Sequence, residues 1–586
     1  MSVAWSDTDL ELARLRADPV GDELAGRVLG GADPHAGDTR LGYNHLLDLA
    51  DRLLEEPELF LVPTSSLRQG MNAVDPALAD YFDPKPLPAW VDEQLLNQGG
   101  AVWDQHAVAI ICALYAASLP NCYLMAKGIP TLYATRKLGE GRFVFQRIYE
   151  TGLMLDAAMR ADGLKIVRDV PLGDLKQSLA AECQRRQPYA DWQWRGDSLN
   201  PSAGNAKLEQ ATVAGAVRNQ LQAAPRWAWG AGVIATLKVR FLHASMRYYL
   251  LNPPPVRTTA PTTSGEALLS SEGTGYDQKL FGLPLNQEDL AFTLLSFGYV
   301  LPEALARWGI VLTPAEREAF WHRWRLIGHI LGVEEGLVPV DYAGAGVLYS
   351  RILARQKGAS PMGVELTSVL MGFLGSYLPP NLRGTLPAML IQSQLGDDAK
   401  LLLPATQPPP SRALAFTYHW LVVPALKVVN RLRRTALADL PLGIGWLNRI
   451  MHHAGQALID SWRDAYDRKP FYIPDSVAGG WQRVRGVDPA YLERLMHWRS
   501  SLFLTCLAGV AGMITGTLLW IPALLLWPFS DGLSSFVFGL GGMCWLIAVL
   551  MLSLYLPYLV TTRPKRTDNK AVLHQPAAPP PPPRAP

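Results

Sequence analysis

Apolar residues along this chain recur at intervals of three and four, and sustained alternation is missing, so the pattern predicts helices throughout and no convincing strand. The first sixty residues read as acidic amphipathic helices, followed by a Pro-containing connector that ends at Pro86. Helical spacing fills 87–250. It breaks between 251 and 280, where Pro253, Pro254 and Pro255 precede Thr-, Ser- and Gly-rich sequence, which predicts a loop. That loop is either a plain surface insertion or a lid over a site. Helix returns over 281–404, and Pro408 to Pro410 mark a break within 405–412. Beyond it Leu426, Val429 and Leu432 share one helical face, while Lys427, Arg431, Arg433 and Arg434 supply charge. Such a basic amphipathic helix fits an ordinary solvated face or the surface of an anionic membrane.

Two stretches carry no charged residue at all, Ser500 to Ser530 and Gly532 to Thr562. Each exceeds the ~20 apolar residues that cross a bilayer core, which predicts a transmembrane hairpin turning near Asp531. Trp498 and Trp527 bracket the first span, and Tyr555 and Tyr558 lie near the end of the second, where amphipathic rings settle at an interface. Arg494 and Arg499 precede the hairpin, and Arg563, Lys565 and Arg566 follow it. The positive-inside tendency therefore places both ends, and the large preceding domain, on the cytoplasmic side. Met1 to Leu10 lacks a basic region followed by an apolar run, so no signal peptide is expected.

Composition narrows this little further. The 586 residues are 49% hydrophobic with a net charge of +2, which supports a large core and offers no bulk electrostatic case for nucleic acid. The five cysteines form no CxxC pair, which argues against a disulfide framework, a zinc ribbon and covalent c-type haem. The tail from Gln575 to Pro586 is a polyproline-type extension suited to a partner's groove.

The candidate chemistry centres on His243. Read as a helix, its segment puts Val239, Met246 and Leu250 on one flank of the imidazole and Arg240 and Arg247 on the other. An axial nitrogen, an apolar wall for a macrocycle and two cations for propionates are what iron porphyrin requires. A lone His on an apolar helix is equally read as a hydrogen-bonded core residue, and the two arginines as partners of Glu288 or Asp289. That acidic pair most simply opens a helix, since early carboxylates suit the positive end of its dipole. Upstream, Arg147 and Thr151 share a face with Phe143, Met154 and Ala158. An arginine there is either ion-paired, with Asp156 for example, or directed at a ligand. Glu150 is either a base reaching the same pocket or a structural residue. His322 and His329 are two turns apart, a spacing for packing rather than for a metal.

These segments occur in a fixed order. Leu87 to Val91, Ser118 to Tyr123, Gly141 to Thr151, Lys238 to Arg247, Asn286 to Phe297 and Trp321 to Gly332 together resemble the family joining the latex-clearing rubber oxygenases to the MpaB-type oxygenases of fungal meroterpenoid synthesis. The resemblance runs from about Leu87 to about Pro404 and is nearest to an uncharacterised, membrane-anchored bacterial branch. It implies an all-α, globin-like fold, one haem b, and O₂-dependent cleavage of a carbon–carbon double bond in an isoprenoid or other unsaturated lipid. It also implies His243 as the iron ligand, with Arg147 and Thr151 on the distal side. The rubber-cleaving branch has a lysine where Glu150 stands and a second histidine where Tyr248 stands, which leaves the resting distal ligand open. The resulting organisation is an N-terminal extension (1–86), an oxygenase-like domain (87–404), a helical region suited to a membrane surface (405–499), the hairpin (500–562) and a basic, Pro-rich tail (563–586). The alternative is a membrane-anchored haem- or lipid-binding protein without catalysis.

Overall fold

The computed structural model describes residues 5–30, 66–83, 85–134, 151–152, 154–160, 163–164, 227–228, 230–252, 276–376, 378, 382–407, 412–432 and 489–564. The architecture is all-α. Its β component among the described residues is a two-residue antiparallel ladder, Lys85–Pro86 with Trp227–Ala228, and an isolated bridge. The principal helices are α1 (Asp7–Ala13), α2 (Pro19–Gly30), α3 (Ser66–Val74), α4 (Pro76–Phe82), α5 (Glu93–Ala113), α6 (Ala231–Leu251) and α7 (Gln287–Gly298). They continue with α8 (Val300–Arg307), α9 (Pro314–Ile330), α10 (Tyr342–Gln356), α11 (Pro361–Gly375), α12 (Thr385–Leu395), α13 (Val423–Leu432), α14 (Pro489–Leu526) and α15 (Asp531–Leu550). The chain divides into two compact units, with α1 to α13 in the first and α14 and α15 in the second.

Helix starts follow capping chemistry. Thr313 and Glu316 form a capping box at α9, and Asp92 caps α5 through the N–H groups of Gln94 and Leu95. Asn286 caps α7, so Glu288 and Asp289 do lie in a first helical turn. α5 runs on through a π-turn, Leu114–Ser118, just ahead of Pro120, whose missing N–H cannot continue a regular ladder.

The core of the first unit is α9 held between α5 and α7. At Gly99 the backbones of α5 and α9 approach so closely that a Cβ would stand 2.5 Å from the Ala319 carbonyl oxygen. Gly298 of α7 accepts the Trp321 ring in the same way, and Phe297 stacks on Trp324 with ring centroids 5.1 Å apart. Arg323 is fully buried at this crossing and donates to the carbonyls of Leu96 (2.7 Å), Ala158 (2.9 Å) and Arg160. Its cation thereby ties α5 and the 154–160 segment to α9 through charge-assisted hydrogen bonds.

The described part of the N-terminus, expected to be an extension, belongs to this core instead. Leu10, Ala13 and Arg14 are buried, and Trp5 donates to the Gly336 carbonyl. Arg14 donates to Glu288 (3.1 Å), Asp289 (2.8 Å) and the carbonyls of Lys127 and Phe281. Glu288, wholly buried, also accepts from Arg355 and Gln356. Burial pushes the Glu288 carboxyl up from its usual range, against the pull of Arg14. The segment joins the core because a buried carboxylate pair needs a cation, and α1 delivers it.

His322 and His329 serve packing and hydrogen bonding, as their spacing suggested. Both present edges to Trp90, whose face carries the Arg325 guanidinium 3.9 Å from the ring centroid. His322 Nε2 accepts the Asp92 N–H at 2.9 Å, which requires a neutral ring. Burial, then the Arg325 charge, holds its pKa below the ordinary 6.5.

Four helical stretches are long and apolar enough to cross a membrane: Glu93–Tyr123, Gln287–Arg307, Glu493–Leu526 and Asp531–Thr561. The first two are wrapped by the rest of their unit. In the other two, residues such as Leu525, Phe536, Leu546 and Leu554 stand exposed. α14 and α15 pack on each other through small residues. Gly512 and Gly516 lie one turn apart, and the Gly516 and Gly541 backbones are so close that a Cβ on either would meet the other's carbonyl oxygen within 2.7 Å. Trp498 is buried and donates to the Leu559 carbonyl at 2.7 Å, so its polar edge is satisfied by the second helical stretch of the hairpin.

Gly99→Ala should lower stability by about 1–3 kcal/mol, read from thermal melts of the solubilised protein, because the added methyl meets backbone rather than a side chain that can move. The His322 contact gives a pH dependence of defined sign. A histidine with a depressed folded pKa contributes fully above its unfolded value of 6.5 and loses that contribution as pH falls below it. The melting temperature of His322→Gln should therefore fall less between neutral and mildly acidic pH than that of the wild type.

Candidate functional site around His243

The sequence of α6 makes a helix with few polar interruptions, begun at Gly230 and ended at Asn252. His243 is half-buried on it. Phe241, Leu242, Ala244 and Met246 are buried around it, and Val239 and Leu250 are half-buried. The apolar flank predicted for the imidazole therefore exists, and the ring itself remains partly accessible.

The other flank differs from expectation. Arg240 makes a two-point contact with Asp18, Nε to Oδ2 and Nη2 to Oδ1, both at 2.6 Å, and a third bond to the Ile330 carbonyl. Arg247 pairs with Asp22 and donates to the carbonyls of Pro284 (2.8 Å) and Leu285 (2.7 Å). Burial opposes the charge on Arg240, but the Asp18 contact overcomes it and raises the pKa. These two guanidinium groups fasten α2 to α6. They do not pair with Glu288 or Asp289, which Arg14 holds, and each has three of its five N–H donors engaged in these contacts. Asp18 and Asp22 are the residues that sequence reasoning missed. Their spacing of four, set against the spacing of seven between Arg240 and Arg247, was the available signal.

The N-terminal end of α6 is docked on the segment that follows Thr151. The Gly163 carbonyl accepts from the N–H groups of Gly232 (2.8 Å) and Val233 (3.2 Å). A Cβ on Gly232 would stand 2.5 Å from Ala158 Cα, so only glycine allows this approach. Met154, Leu155, Ala158 and Met159 are buried there, and Thr151 is half-buried in the turn before them. Asp156, weighed as a partner for Arg147, pairs with Arg160 at 2.7 Å. Thr151 and His243 thus lie on segments joined directly to each other. Arg147 and Glu150 lie outside the described residues.

The donor set fits one ligand from α6 to an iron porphyrin, His243, while Arg240 and Arg247, expected to meet its propionates, are ion-paired with Asp18 and Asp22. Among the described residues no group of three or more His, Cys, Asp or Glu side chains is placed to hold a metal ion, and a haem iron needs none. The described cysteines Cys112, Cys122, Cys506 and Cys544 are free thiols. A separate open cleft of about 860 Å³ lies among α8, α9 and α10, lined by Tyr299, Glu303, Arg317, Glu318, Tyr342 and neighbouring residues. It contains none of the predicted site residues, and Tyr342 occupies both of its carboxylates through its hydroxyl and N–H.

Part of the chain is similar to known oxygenases. Residues 199–437 match the family described as ER-bound oxygenase mpaB/B'/Rubber oxygenase, catalytic domain. The chain is 26% identical over 196 residues to the rubber oxygenase of Streptomyces sp. (strain K30), a match covering 33% of this chain and 43% of that protein. It therefore spans less than half the length of that relative. The latex clearing protein LCP, in a structure of its closed state, aligns over 76% of this chain and 91% of its own, at 16% identity and a TM-score of 0.40. The likeness to the MpaB and rubber-oxygenase catalytic domain thus rests on residues 199–437. The matched segment begins later and ends later than the expected 87–404. It contains His243, Arg240 and Arg247, whereas Arg147, Glu150 and Thr151 precede it.

A double-mutant cycle should report the clamp. Asp18→Asn and Arg240→Met should be non-additive in unfolding free energy by about 1–3 kcal/mol, because each single change strands the other buried group. Additive effects would show that the pair contributes nothing as a pair.

Proposed function

We propose that this protein is a membrane-anchored, haem b-dependent oxygenase that uses O₂ to cleave a carbon–carbon double bond of an isoprenoid or other unsaturated lipid. The observation that carries this reading is the family match over 199–437, with His243 half-buried beside an apolar flank at the position the family resemblance gives to the iron ligand. When bound, the haem iron supplies O₂ binding and redox chemistry. His243 would hold that iron through a ring nitrogen. Arg147 is assigned, through the family resemblance, the role of a donor to negative charge developing on oxygen. Thr151 donates a hydrogen bond there or positions Arg147. Glu150, where the rubber-cleaving relatives carry lysine, is the carboxylate available to accept a proton in the same turn.

α14 and α15 are read as the two membrane spans. Their outward apolar side chains are exposed, whereas the equally long stretches of α5 and α7 to α8 are satisfied inside the fold. Arg494, Arg499 and Arg563 flank the hairpin and Asp531 sits at its turn, a distribution that supports both ends facing the cytoplasm. An anchored site meets a hydrocarbon substrate where that substrate is dissolved. The second reading, a haem- or lipid-binding protein without catalysis, is favoured by one observation: Arg240 and Arg247 are committed to structural pairs.

Purified protein expressed with added haem should show an absorbance band at ~400 nm that His243→Ala abolishes together with bound iron. Arg147→Ala should retain the band and lose turnover on the order of a hundred- to a thousandfold. A colourless wild type would remove the oxygenase reading. A coloured protein that consumes no O₂ with polyprenyl or unsaturated lipids would leave the binding protein.

A further inference from the structure

The stretch from Arg412 to Leu432 has a face that the first unit leaves uncovered. A short helix, Arg412–Phe416, continues through the π-turn Thr417–Val422 into α13. One side is fixed to the core: Tyr418 is buried and donates to Ser393 Oγ at 3.0 Å. On the other side Phe416, Trp420, Pro424, Lys427 and Arg431 recur at intervals of three and four, and all are exposed. Phe416 and Trp420 are 59% and 69% exposed and stack on each other, with ring centroids 6.3 Å apart. Two large aromatic rings at one end of a stripe and two cations at the other are an unusual surface for water alone. The Lys427 stem lies against Gly309, which has no side chain, and the ammonium is left free to reach outward. From 412 to 432 the sequence contains no Asp or Glu.

We propose that this face is a second, peripheral membrane contact. Phe416 and Trp420 enter the headgroup–acyl boundary, and Lys427 and Arg431 pair with anionic lipid phosphates. Three features select a bilayer over a protein partner. Aromatic rings with basic neighbours match the interfacial zone. The absence of carboxylates on the stripe removes repulsion from an anionic leaflet. The same chain carries α14 and α15, so the lipid surface is supplied at high effective concentration once the hairpin has inserted. The inference rests on the membrane-spanning reading of that hairpin. It adds a substrate-facing consequence, since it brings the first unit to the depth at which an unsaturated lipid lies.

The test uses the full chain, reconstituted into vesicles of phosphatidylcholine alone or with phosphatidylglycerol, with a photo-crosslinking residue at one of three positions. Leu525, exposed on α14, reports the hairpin; Val347, exposed on α10, is the control; Trp420 reports the proposed face. Lipid adducts are expected at 525 in both vesicles, at 420 more strongly with phosphatidylglycerol, and not at 347. Neutralising the stripe with Lys427→Gln and Arg431→Gln, both exposed and near-isosteric, should lower the 420 adduct with phosphatidylglycerol on the order of tenfold and leave 525 unchanged. Labelling at 525 without lipid adducts at 420, or with 420 linked to a second copy of the chain, overturns the peripheral contact alone. A 420 adduct indifferent to phosphatidylglycerol and to the two substitutions overturns the charge pairing on which the contact is argued. No lipid adduct at 525 overturns the hairpin reading and the peripheral contact with it.

Discussion

The pairing of Asp18 and Asp22 with Arg240 and Arg247 is the constraint on which the candidate site depends. Four charges are taken largely out of water, and such a set is stable only when every member is matched. The geometry is correspondingly tight. Asp18 stands immediately before α2 and Asp22 in its first turn, so one short stretch presents both carboxylates to two arginines a helical face apart. Gly332, at φ +80°, lets its backbone pass beside the Arg240 guanidinium, where a side chain would collide. Because Arg240 and Arg247 bracket His243, the clamp fixes the rotation of α6 about its axis. It therefore fixes the direction in which the imidazole projects.

Much of this was legible in the sequence as elements and little of it as partners. The period of three and four around His243, the start of α7 at Asn286 and the two uncharged spans all follow from local chemistry, and each is present. What local chemistry cannot specify is which charge meets which across hundreds of residues. Arg14 reaches Glu288, Arg323 reaches the carbonyl of Leu96, and Asp18 reaches Arg240. The acidic N-terminus looked like an appendage because the family resemblance begins only near Leu87. It is part of the core because its charges are complementary to buried ones elsewhere. A helical wheel gives the direction of Arg240 and Arg247 correctly, but it cannot show that another helix already lies there.

Apolar length is likewise an incomplete guide to where a helix resides. The stretches Glu93–Tyr123 and Gln287–Arg307 are as long as a membrane span, yet their outward faces meet protein. The distinguishing features are local. α5 and α7 carry polar caps and glycines at close crossings with α9, and their partners include a wholly buried arginine. In α14 and α15 the glycines face each other, at Gly516 and Gly541, and nothing polar awaits the outer surface. A helix that must satisfy only its twin and hydrocarbon needs small residues on one side and any apolar residue on the other.

The pairing of Arg240 and Arg247 also bears on how a cofactor would be accommodated. A porphyrin held by His243 would bring two carboxylates that need cations or water. If they took the arginines, Asp18 and Asp22 would be left buried with no counter-charge and α2 would be released. Binding would then loosen the N-terminal segment. If they are met elsewhere, binding adds its own free energy to an unchanged clamp and stabilises the whole unit. The second course is consistent with three donors already placed on each guanidinium. Through their pairs with Asp18 and Asp22, the arginines beside the histidine are the means by which the fold aims its candidate ligand.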